Sequence, residues 1–193
     1  ELRKGVSFIR AVLMFPMMIA PVAVGLIWKL MYNTEFGIIN TIISKIGFQR
    51  QAWLAEPNLA MLSVIVTDVW QWTPFIYLVL LAGLHSIPEE PYEAALVDGA
   101  TYWQIFRYIT VPLLKPTIFI ALLFRSIGTF RAFDKFILLT GGGPGNVTEI
   151  VSLYIYKVSF RYWQLGYGSL LALTVILFIV MYSQSYQRVL MKR

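Results

Sequence analysis

The sequence predicts an all-α integral membrane helical bundle, and three observations lead to this class. Hydrophobic residues make up 58% of the 193 residues, charged residues only 13%, and the mean hydropathy is +0.68. A soluble domain carries about 25% charged residues, so this composition indicates a membrane protein. Four apolar runs are long enough to cross a bilayer. The net charge of +6 comes from scattered basic residues without a basic stripe, so we expect no nucleic-acid partner.

The composition also limits the chemistry of the chain. It contains no cysteine, which excludes disulfides and thiolate metal sites, and its single histidine, His85, offers too few ligands for an ordinary histidine site. We therefore expect no metal and no cofactor. The chain begins at Glu1 directly before an apolar run, so we expect it to be a fragment of a longer protein. That run lacks a small-residue cleavage site and is too long for a signal peptide core.

The first two apolar runs are predicted to be single spanning helices. Residues 11–28 are uncharged, and extension to Leu30 gives a helix of about 30 Å. Residues 59–84 are longer and contain one charge, Asp68. Three prolines lie inside these runs, and we expect neighbouring helices to tolerate them within a membrane: Pro16, Pro21 and Pro74.

The other two predicted spans lie in the C-terminal half. Residues 113–127 are apolar apart from Lys115 and Arg125, and we expect a less regular continuation to Leu139. Residues 165–187 are uncharged and are followed by basic residues, namely Arg188, Lys192 and Arg193. Together the four spans predict one transmembrane domain over residues 1–193. The basic residues of the loops are divided evenly between the two sides, so the positive-inside rule alone does not orient the bundle.

A polar stretch between the second and third runs, residues 86–111, has the pattern of two short helices joined by a turn. Ser86 and Glu89 form the capping-box pattern S-x-x-E, which predicts a helix with Pro88 in its first turn. The carboxylates near this start favour the positive end of the helix dipole. They belong to Glu89, Glu90 and Glu93.

This first helix carries a narrow apolar stripe, which suits the groove of a partner because small residues permit close approach. The stripe consists of Tyr92, Ala95, Leu96 and Gly99. We expect Gly99 to end the helix in a left-handed conformation. Thr101 and Gln104 repeat the capping-box pattern and predict a second short helix from Tyr102 to about Ile109, which Pro112 stops.

The same stretch carries a longer motif, E-A-A-x-x-D-G-A-x-x-x-x-x-F-x-x-I-x-x-P-x-x-x-P. It is formed by Glu93, Ala94, Ala95, Asp98, Gly99, Ala100, Phe106, Ile109, Pro112 and Pro116. The motif resembles the EAA loop of binding-protein-dependent ABC importer permeases. The likeness is greatest to the carbohydrate-uptake branch, which carries maltose-type sugars or glycerol 3-phosphate. It extends to residues 21–28 (PVAVGLIW), 68–74 (DVWQWTP) and 139–145 (LTGGGPG), and so to nearly the whole chain.

The resemblance implies a cytoplasmic loop whose short coupling helix docks in a cleft of a separate ATPase, and this orients the chain. It places the loop and the C-terminus on the cytoplasmic side of a bacterial-type inner membrane. The implied coupling residues are Glu89, Tyr92, Glu93, Ala94, Ala95, Leu96, Asp98, Gly99 and Ala100. Such permeases commonly have six spans, so we expect the two N-terminal spans to lie outside this sequence.

The resemblance also implies the partners and the activity. The partners are an ATP-binding cassette ATPase dimer, a second homologous permease, an extracytoplasmic solute-binding protein, a carbohydrate-like solute and membrane lipid. The chain itself would catalyse nothing, since ATP hydrolysis belongs to the partner. It would pass the solute by alternating access between the two sides of the membrane.

The second span contains candidate residues for the solute pathway. A carboxylate inside a membrane is costly, so Asp68 is expected to face the bundle interior, a cavity or a partner. Beside it, three side chains that stack or hydrogen-bond suit a sugar: Trp70, Gln71 and Trp72. In the alternative interpretation the tryptophans form an interfacial belt and Asp68 pairs with Arg125 or Arg131 for structural reasons. Arg125, Arg131 and Asp134 are further candidates for the pathway, and both interpretations remain open at this point.

Other functions are less consistent with the sequence. An ion-gradient-driven secondary transporter is expected to show internal repeats and a midplane ion site, and neither is visible. A membrane-bound enzyme needs a clustered nucleophile, base or metal site. The loop is unlike a surface-lying amphipathic helix, which is usually basic, because four acids precede Arg107. The GGGPG run is not followed by G-K-[ST], so it predicts a tight extracytoplasmic turn and no nucleotide site.

Overall fold

The computed structural model of the chain describes the backbone of residues 2–191 and the side chains of residues 10–188. Lys192 and Arg193, two of the basic residues predicted to follow the last span, lie outside the described residues. The described part consists of helices and turns, which confirms the all-α prediction. In its first half the helices are α1 (Leu2–Met18), α2 (Pro21–Met31), α3 (Ile38–Lys45), α4 (Pro57–His85) and α5 (Glu90–Val97).

The second half contains five further α-helices and two π-helical turns. The helices are α6 (Tyr102–Ile105), α7 (Val111–Phe130), α8 (Asp134–Leu139), α9 (Val151–Tyr156) and α10 (Leu165–Met191). The π-turns are Phe106–Thr110, which joins α6 to α7, and Lys157–Arg161, which follows α9. Among the described residues, three stretches are long and apolar enough to cross a membrane: Pro57–His85, Tyr102–Phe130 and Leu165–Arg188. They confirm the second and fourth predicted spans and extend the third.

The first predicted span is not one straight helix, so that prediction is wrong. Helices α1 and α2 meet at an angle of 101° across a short break, and together they form a fourth span only as a broken helix. The cause is Pro21, because a proline disfavours the helical conformation of the preceding residue. Ala20 accordingly has an extended backbone, with ψ of 134°. Pro16 and Pro74, by contrast, lie within continuous helices as expected.

The third predicted span begins earlier than expected. The helix that starts at Tyr102 continues to Phe130, so the prediction that Pro112 stops a short helix is wrong. Pro112 lies in the first turn of α7, directly after the π-turn Phe106–Thr110. A π-turn departs from the regular α-helical hydrogen bonds and lets the chain pass a residue that has no N–H to donate. The continuation to Leu139 is the separate helix α8.

The helices pack around a small apolar core near one end of α4. Helix α2 packs on α8 and α4, α1 packs on α4, and α7 lies between α4 and α10. The buried residues at the centre are Val24, Trp28, Tyr32, Val64 and Leu139. Most other large apolar side chains are exposed, which suits helices whose outer faces contact lipid or other subunits.

Candidate functional site

Two regions contain the predicted functional residues, and the first is the loop at residues 86–111. Its first helix, α5, is not capped by Ser86, so this part of the prediction is wrong. Helix α4 continues to His85, and Ser86 ends it, with its hydroxyl donating to the Gly83 carbonyl at 2.7 Å. Pro88 precedes α5, and Pro91 occupies its first turn instead. The cap was misassigned because the sequence alone does not show where α4 ends.

The end of α5 has the predicted left-handed glycine. Gly99 has φ of +71°, a conformation that side chains resist. The Gly99 N–H donates to the Leu96 carbonyl at 3.1 Å, and the Ala100 N–H donates to the Ala95 carbonyl at 2.9 Å. These two bonds form a Schellman motif, which satisfies carbonyls at the helix end. The turn therefore fixes the direction in which the chain enters the next helix.

The second capping box is also confirmed. The Thr101 N–H donates to Gln104 Oε1 at 2.7 Å, and the Gln104 N–H donates to Thr101 Oγ1 at 3.4 Å. Such reciprocal bonds satisfy amide groups that have no partner within the helix. The loop thus keeps a fixed shape through contacts that lie within a few residues of one another.

The predicted apolar stripe of α5 is divided between two directions. Ala95 is 8% exposed, and the half-buried Tyr92 donates its hydroxyl to Thr110 Oγ1 at 3.2 Å. Both side chains therefore face this chain, whereas Leu96 is 66% exposed. The predicted acidic residues Glu89, Glu90, Glu93 and Asp98 are exposed, as is Ala94.

Sequence reasoning missed part of the exposed apolar surface of this loop. Besides Leu96, the exposed apolar side chains include those of Val97, Tyr102 and Trp103 on the two flanks of the Gly99 turn. We name Leu96, Val97, Tyr102 and Trp103 the loop surface. Large apolar residues immediately before and after a glycine turn were the available signal, because a turn brings its two flanks together. A groove of about 870 Å³ adjoins this surface and includes Leu96 and Tyr102 in its wall. Its other lining residues belong to the end of α4, to α5, and to the stretch from α6 to the start of α7.

The second region is a charged cluster where α4, α7 and α8 meet. Asp68 forms an ion pair with Arg125, as the structural alternative predicted, and a second one with Lys135, whose Nζ lies 2.5 Å from Asp68 Oδ1. Lys135 was missed because α8 folds back onto α4 across 67 positions of sequence. The second alternative partner, Arg131, lies in the wall of the neighbouring cavity.

Trp72 completes this cluster. Its ring centroid lies 5.5 Å from the Arg125 guanidinium carbon and 5.7 Å from Lys135 Nζ, which is the range of cation–π attraction. A cavity of about 260 Å³ lies against these side chains. Other polar groups in its wall include Arg131 and Asp134, the further candidates from the sequence.

Trp70 and Gln71 do not share this cavity wall with Trp72. Successive residues of a helix point about 100° apart, so neighbours in sequence face different partners. The Trp70 ring lies 5.5 Å from that of Trp28. Gln71 is buried and donates from Nε2 to the Ile19 carbonyl at 3.2 Å, at the break between α1 and α2. Of the four predicted pathway residues, the structure brings Asp68 and Trp72 together at the cavity.

Comparison with known proteins places the chain in a family. The sequence pattern of the family described as "Binding-protein-dependent transport system inner membrane component" matches residues 3–192. The trehalose/maltose transport system permease protein MalF of Thermococcus litoralis is 41% identical over 184 residues, covering 95% of this chain and 61% of that protein. The sulfoquinovosyl glycerol transport system permease protein SmoG of Agrobacterium fabrum is 39% identical over 166 residues, covering 86% and 54%.

A solved structure gives the same result. The chain resembles a chain in the crystal structure of a bacterial alginate ABC transporter in complex with an alginate pentasaccharide-bound periplasmic protein. The TM-score is 0.85 at 28% identity, over 97% of this chain and 67% of the other. The chain spans less than two thirds of the length of the two permeases named above. Because the family pattern covers residues 3–192, the chain belongs to the family of binding-protein-dependent transport system inner membrane components.

Proposed function

We propose that this chain belongs to the permease subunit of an ATP-driven importer, which passes a carbohydrate-like solute across the cytoplasmic membrane by alternating access. The observation that carries the proposal is the loop at residues 86–111. Two ordered turns of local hydrogen bonds hold an exposed apolar surface and four exposed carboxylates between two spans. A connector that only had to link two helices would need neither feature. The chain itself catalyses nothing, and a separate ATPase dimer supplies the energy.

The loop would transmit that energy. The loop surface and the carboxylates of Glu89, Glu90 and Glu93 suit a partner cleft that is apolar with a basic rim. Tyr92 and Ala95 would support α5 from behind, because both face this chain. Gly99 and Ala100 would fix the angle between α5 and α6 through the Schellman bonds.

The relatives support a carbohydrate-like solute, since their names refer to trehalose, maltose, sulfoquinovosyl glycerol and alginate. The cavity beside Asp68 and Trp72 has the chemistry for such a solute. An aromatic ring can stack on a sugar, and the charged groups around it can hydrogen-bond hydroxyls. Trp70 and Gln71 would act indirectly, by holding α4 against α2 and the break before it.

The remaining partners are a second homologous permease and an extracytoplasmic solute-binding protein. The latter is supported by the alginate transporter, whose structure contains a periplasmic protein bound to alginate pentasaccharide. In this scheme the bundle has two arrangements, one biased by nucleotide at the ATPase and the other by the loaded binding protein.

The experiment for this function uses the full-length permease in its cells of origin. We expect it to co-purify with an ATP-binding cassette ATPase, and we expect deletion of that ATPase to abolish uptake of the solute. Uptake that survives the deletion but stops when an ionophore collapses the ion gradients would contradict the proposal and favour a secondary transporter.

The proposed orientation places residues 86–111 and the C-terminus in the cytoplasm, and the turn at residues 141–145 outside. The given sequence contains no cysteine, so single cysteines at the exposed Glu90 and Val147 can report the two sides. On intact cells an impermeant thiol reagent should label the cysteine at position 147 and not the one at position 90. Permeabilised cells, in which both should react, provide the control. The reverse labelling pattern would invert the orientation.

A further inference from the structure

Helix α3 has an exposed apolar face that the transport function does not use. Ile38, Ile42 and Ile46 follow one another at intervals of four residues and are 49%, 55% and 67% exposed. Phe36 and Phe48, at the two ends of the segment, are exposed as well. Residues four apart lie on the same face of a helix, so Ile38 and Ile42 share one face of α3, and Ile46 follows them as the C-cap residue.

The opposite side of α3 is anchored to the chain, which fixes the direction of the apolar face. Asn40 is fully buried, and its side chain donates to the Gln51 carbonyl at 2.9 Å and accepts from the Gln51 N–H at 3.0 Å. Its Oδ1 also accepts from Trp53 Nε1 at 3.0 Å. Ile39 packs against the apolar core. The helix therefore cannot simply rotate its isoleucines inwards.

The position of α3 indicates what covers this face. The Trp53 carbonyl accepts from the Ser63 hydroxyl at 3.2 Å, and the Tyr32 hydroxyl donates to the Ser63 carbonyl at 3.1 Å. Ser63 lies six residues after Pro57, the first residue of α4, and so about 9 Å from the end of that span. Helix α3 is thus held beside the first turns of this span, together with Tyr32 and Trp53, which are residues of the kind that favour the membrane interface.

The surroundings of the face fit a lipid surface. On α2, which precedes α3, the side chains of Leu26 and Leu30 are exposed as well. The exposed basic residues Lys29 and Lys45 are available to phosphate groups, against the single exposed acid Glu35 between them. Helices that lie in the membrane interface combine apolar side chains on one face with basic side chains beside it.

We propose that α3 is an interfacial helix. Its apolar face, formed by Ile38, Ile42 and Ile46, is immersed at the boundary between the phospholipid headgroups and the acyl chains. Lys29 and Lys45 extend to the headgroup phosphates. The helix thereby holds the segment between α2 and α4 at a fixed depth. The partner of this surface is the lipid itself, so the proposal stands whichever solute is transported.

The test measures depth with single cysteines at Ile42, on the apolar face, and at Ser44, which is exposed on the side of Asn40. The full-length permease is assembled with its partner subunits in vesicles of phosphatidylethanolamine and phosphatidylglycerol, with cysteines elsewhere replaced. An environment-sensitive fluorophore on each cysteine is then quenched by phospholipid that carries a nitroxide near the top of its acyl chains. We expect at least about threefold more quenching at position 42 than at position 44, because an interfacial helix inserts only its apolar face.

A water-soluble quencher, iodide, should give the opposite order, with the label at position 44 more accessible. Equal lipid quenching at the two positions would overturn the proposal. So would lipid quenching at position 42 that occurs in the isolated permease and disappears on assembly with the second permease, or on addition of the binding protein. Those results would assign the face to a protein partner.

Discussion

The loop at residues 86–111 and the cluster around Asp68 use their charges in opposite ways. The loop exposes the carboxylates of Glu89, Glu90 and Glu93 beside its apolar surface. Within the bundle, Asp68 is joined to Arg125 and to Lys135 by ion pairs, and both cations lie near the Trp72 ring. Exposed charges cost little to maintain and remain available to a partner, whereas charges inside a membrane bundle must be compensated by this chain. Substitutions in the loop should therefore impair binding of the partner, whereas loss of a charge that holds the cluster together should impair folding.

The largest effect is expected for Asp68→Asn. It removes the carboxylate that Arg125 and Lys135 share, and it leaves two cations close together without their ion-pair partner. Breaking a fully buried pair costs about 3–5 kcal/mol, and Asp68 and Arg125 are partly buried, so we expect a cost at the lower end of this range. We expect a large fall in the amount of permease in the membrane and in the melting temperature of the purified subunit. Normal abundance and melting temperature would contradict this account of the cluster.

Lys135→Met is the matched control, because Asp68 retains Arg125 and only the surplus cation is lost. Methionine fills a similar volume without a charge, so folding should be affected much less than by Asp68→Asn. Equal losses for the two variants would show that the second ion pair, rather than the shared carboxylate, maintains the packing of α8.

The second prediction concerns Gly99, where folding and docking can be separated. A Cβ at this position would meet no atom within 4 Å, so a substitution costs only the strain of φ at +71°. That strain is roughly 1 kcal/mol. We expect Gly99→Asp to leave insertion intact and to reduce co-purification of the ATPase strongly, because a carboxylate placed beside the apolar loop surface would lose its hydration when the loop docks. Asparagine has nearly the same size and tolerates this conformation, so Gly99→Asn should retain most of the binding.

Equal binding of the ATPase by the Asp and Asn variants would show that the negative charge of Asp is not what weakens binding. Loss of both variants from the membrane would instead show that Gly99 matters for folding.

A third prediction compares two tryptophans two positions apart. Trp72 borders the cavity, whereas Trp70 packs on Trp28. Trp72→Leu should therefore reduce solute uptake by the assembled transporter while the permease remains abundant, since stacking on the solute is lost. Trp70→Leu should act mainly on stability, because it weakens an aromatic contact. The measurement is the initial rate of uptake divided by membrane abundance. The same normalised rate for both variants would contradict a role of Trp72 in the solute pathway and favour the interfacial belt.

The features that the sequence predicted well are those whose causes lie within a few residues. Gly99 ends α5 and Thr101 caps the next helix as expected, because their bonding partners are three to five positions away. The long apolar runs of α4 and α10 were equally clear, since about 20 apolar residues suffice to indicate a span.

The missed features depend on distant parts of the chain. Ser86 was assigned to the wrong helix because the packing of α4 decides how far that helix continues. The contact of Lys135 with Asp68 requires α8 to fold back, which no local pattern shows. The break before Pro21 has a local cause, but Pro74 lies in a continuous helix, so the proline alone does not determine the outcome.

The smallest effect is expected for Thr101→Ala, which perturbs the loop without adding a charge or removing an exposed apolar side chain. The substitution removes the hydroxyl that accepts from the Gln104 N–H. Loss of such a cap costs about 1 kcal/mol, local to the first helical turn. Tyr102 and Trp103 of the loop surface lie in that turn, so fraying should weaken binding of the ATPase by about fivefold while membrane abundance is unchanged. The measurement is the dissociation constant of the ATPase for the permease in nanodiscs. Thr101→Ser keeps the hydroxyl and should bind as the parent does. If serine weakens binding as much as alanine, then the methyl group of Thr101, and not its capping bond, contributes to the contact.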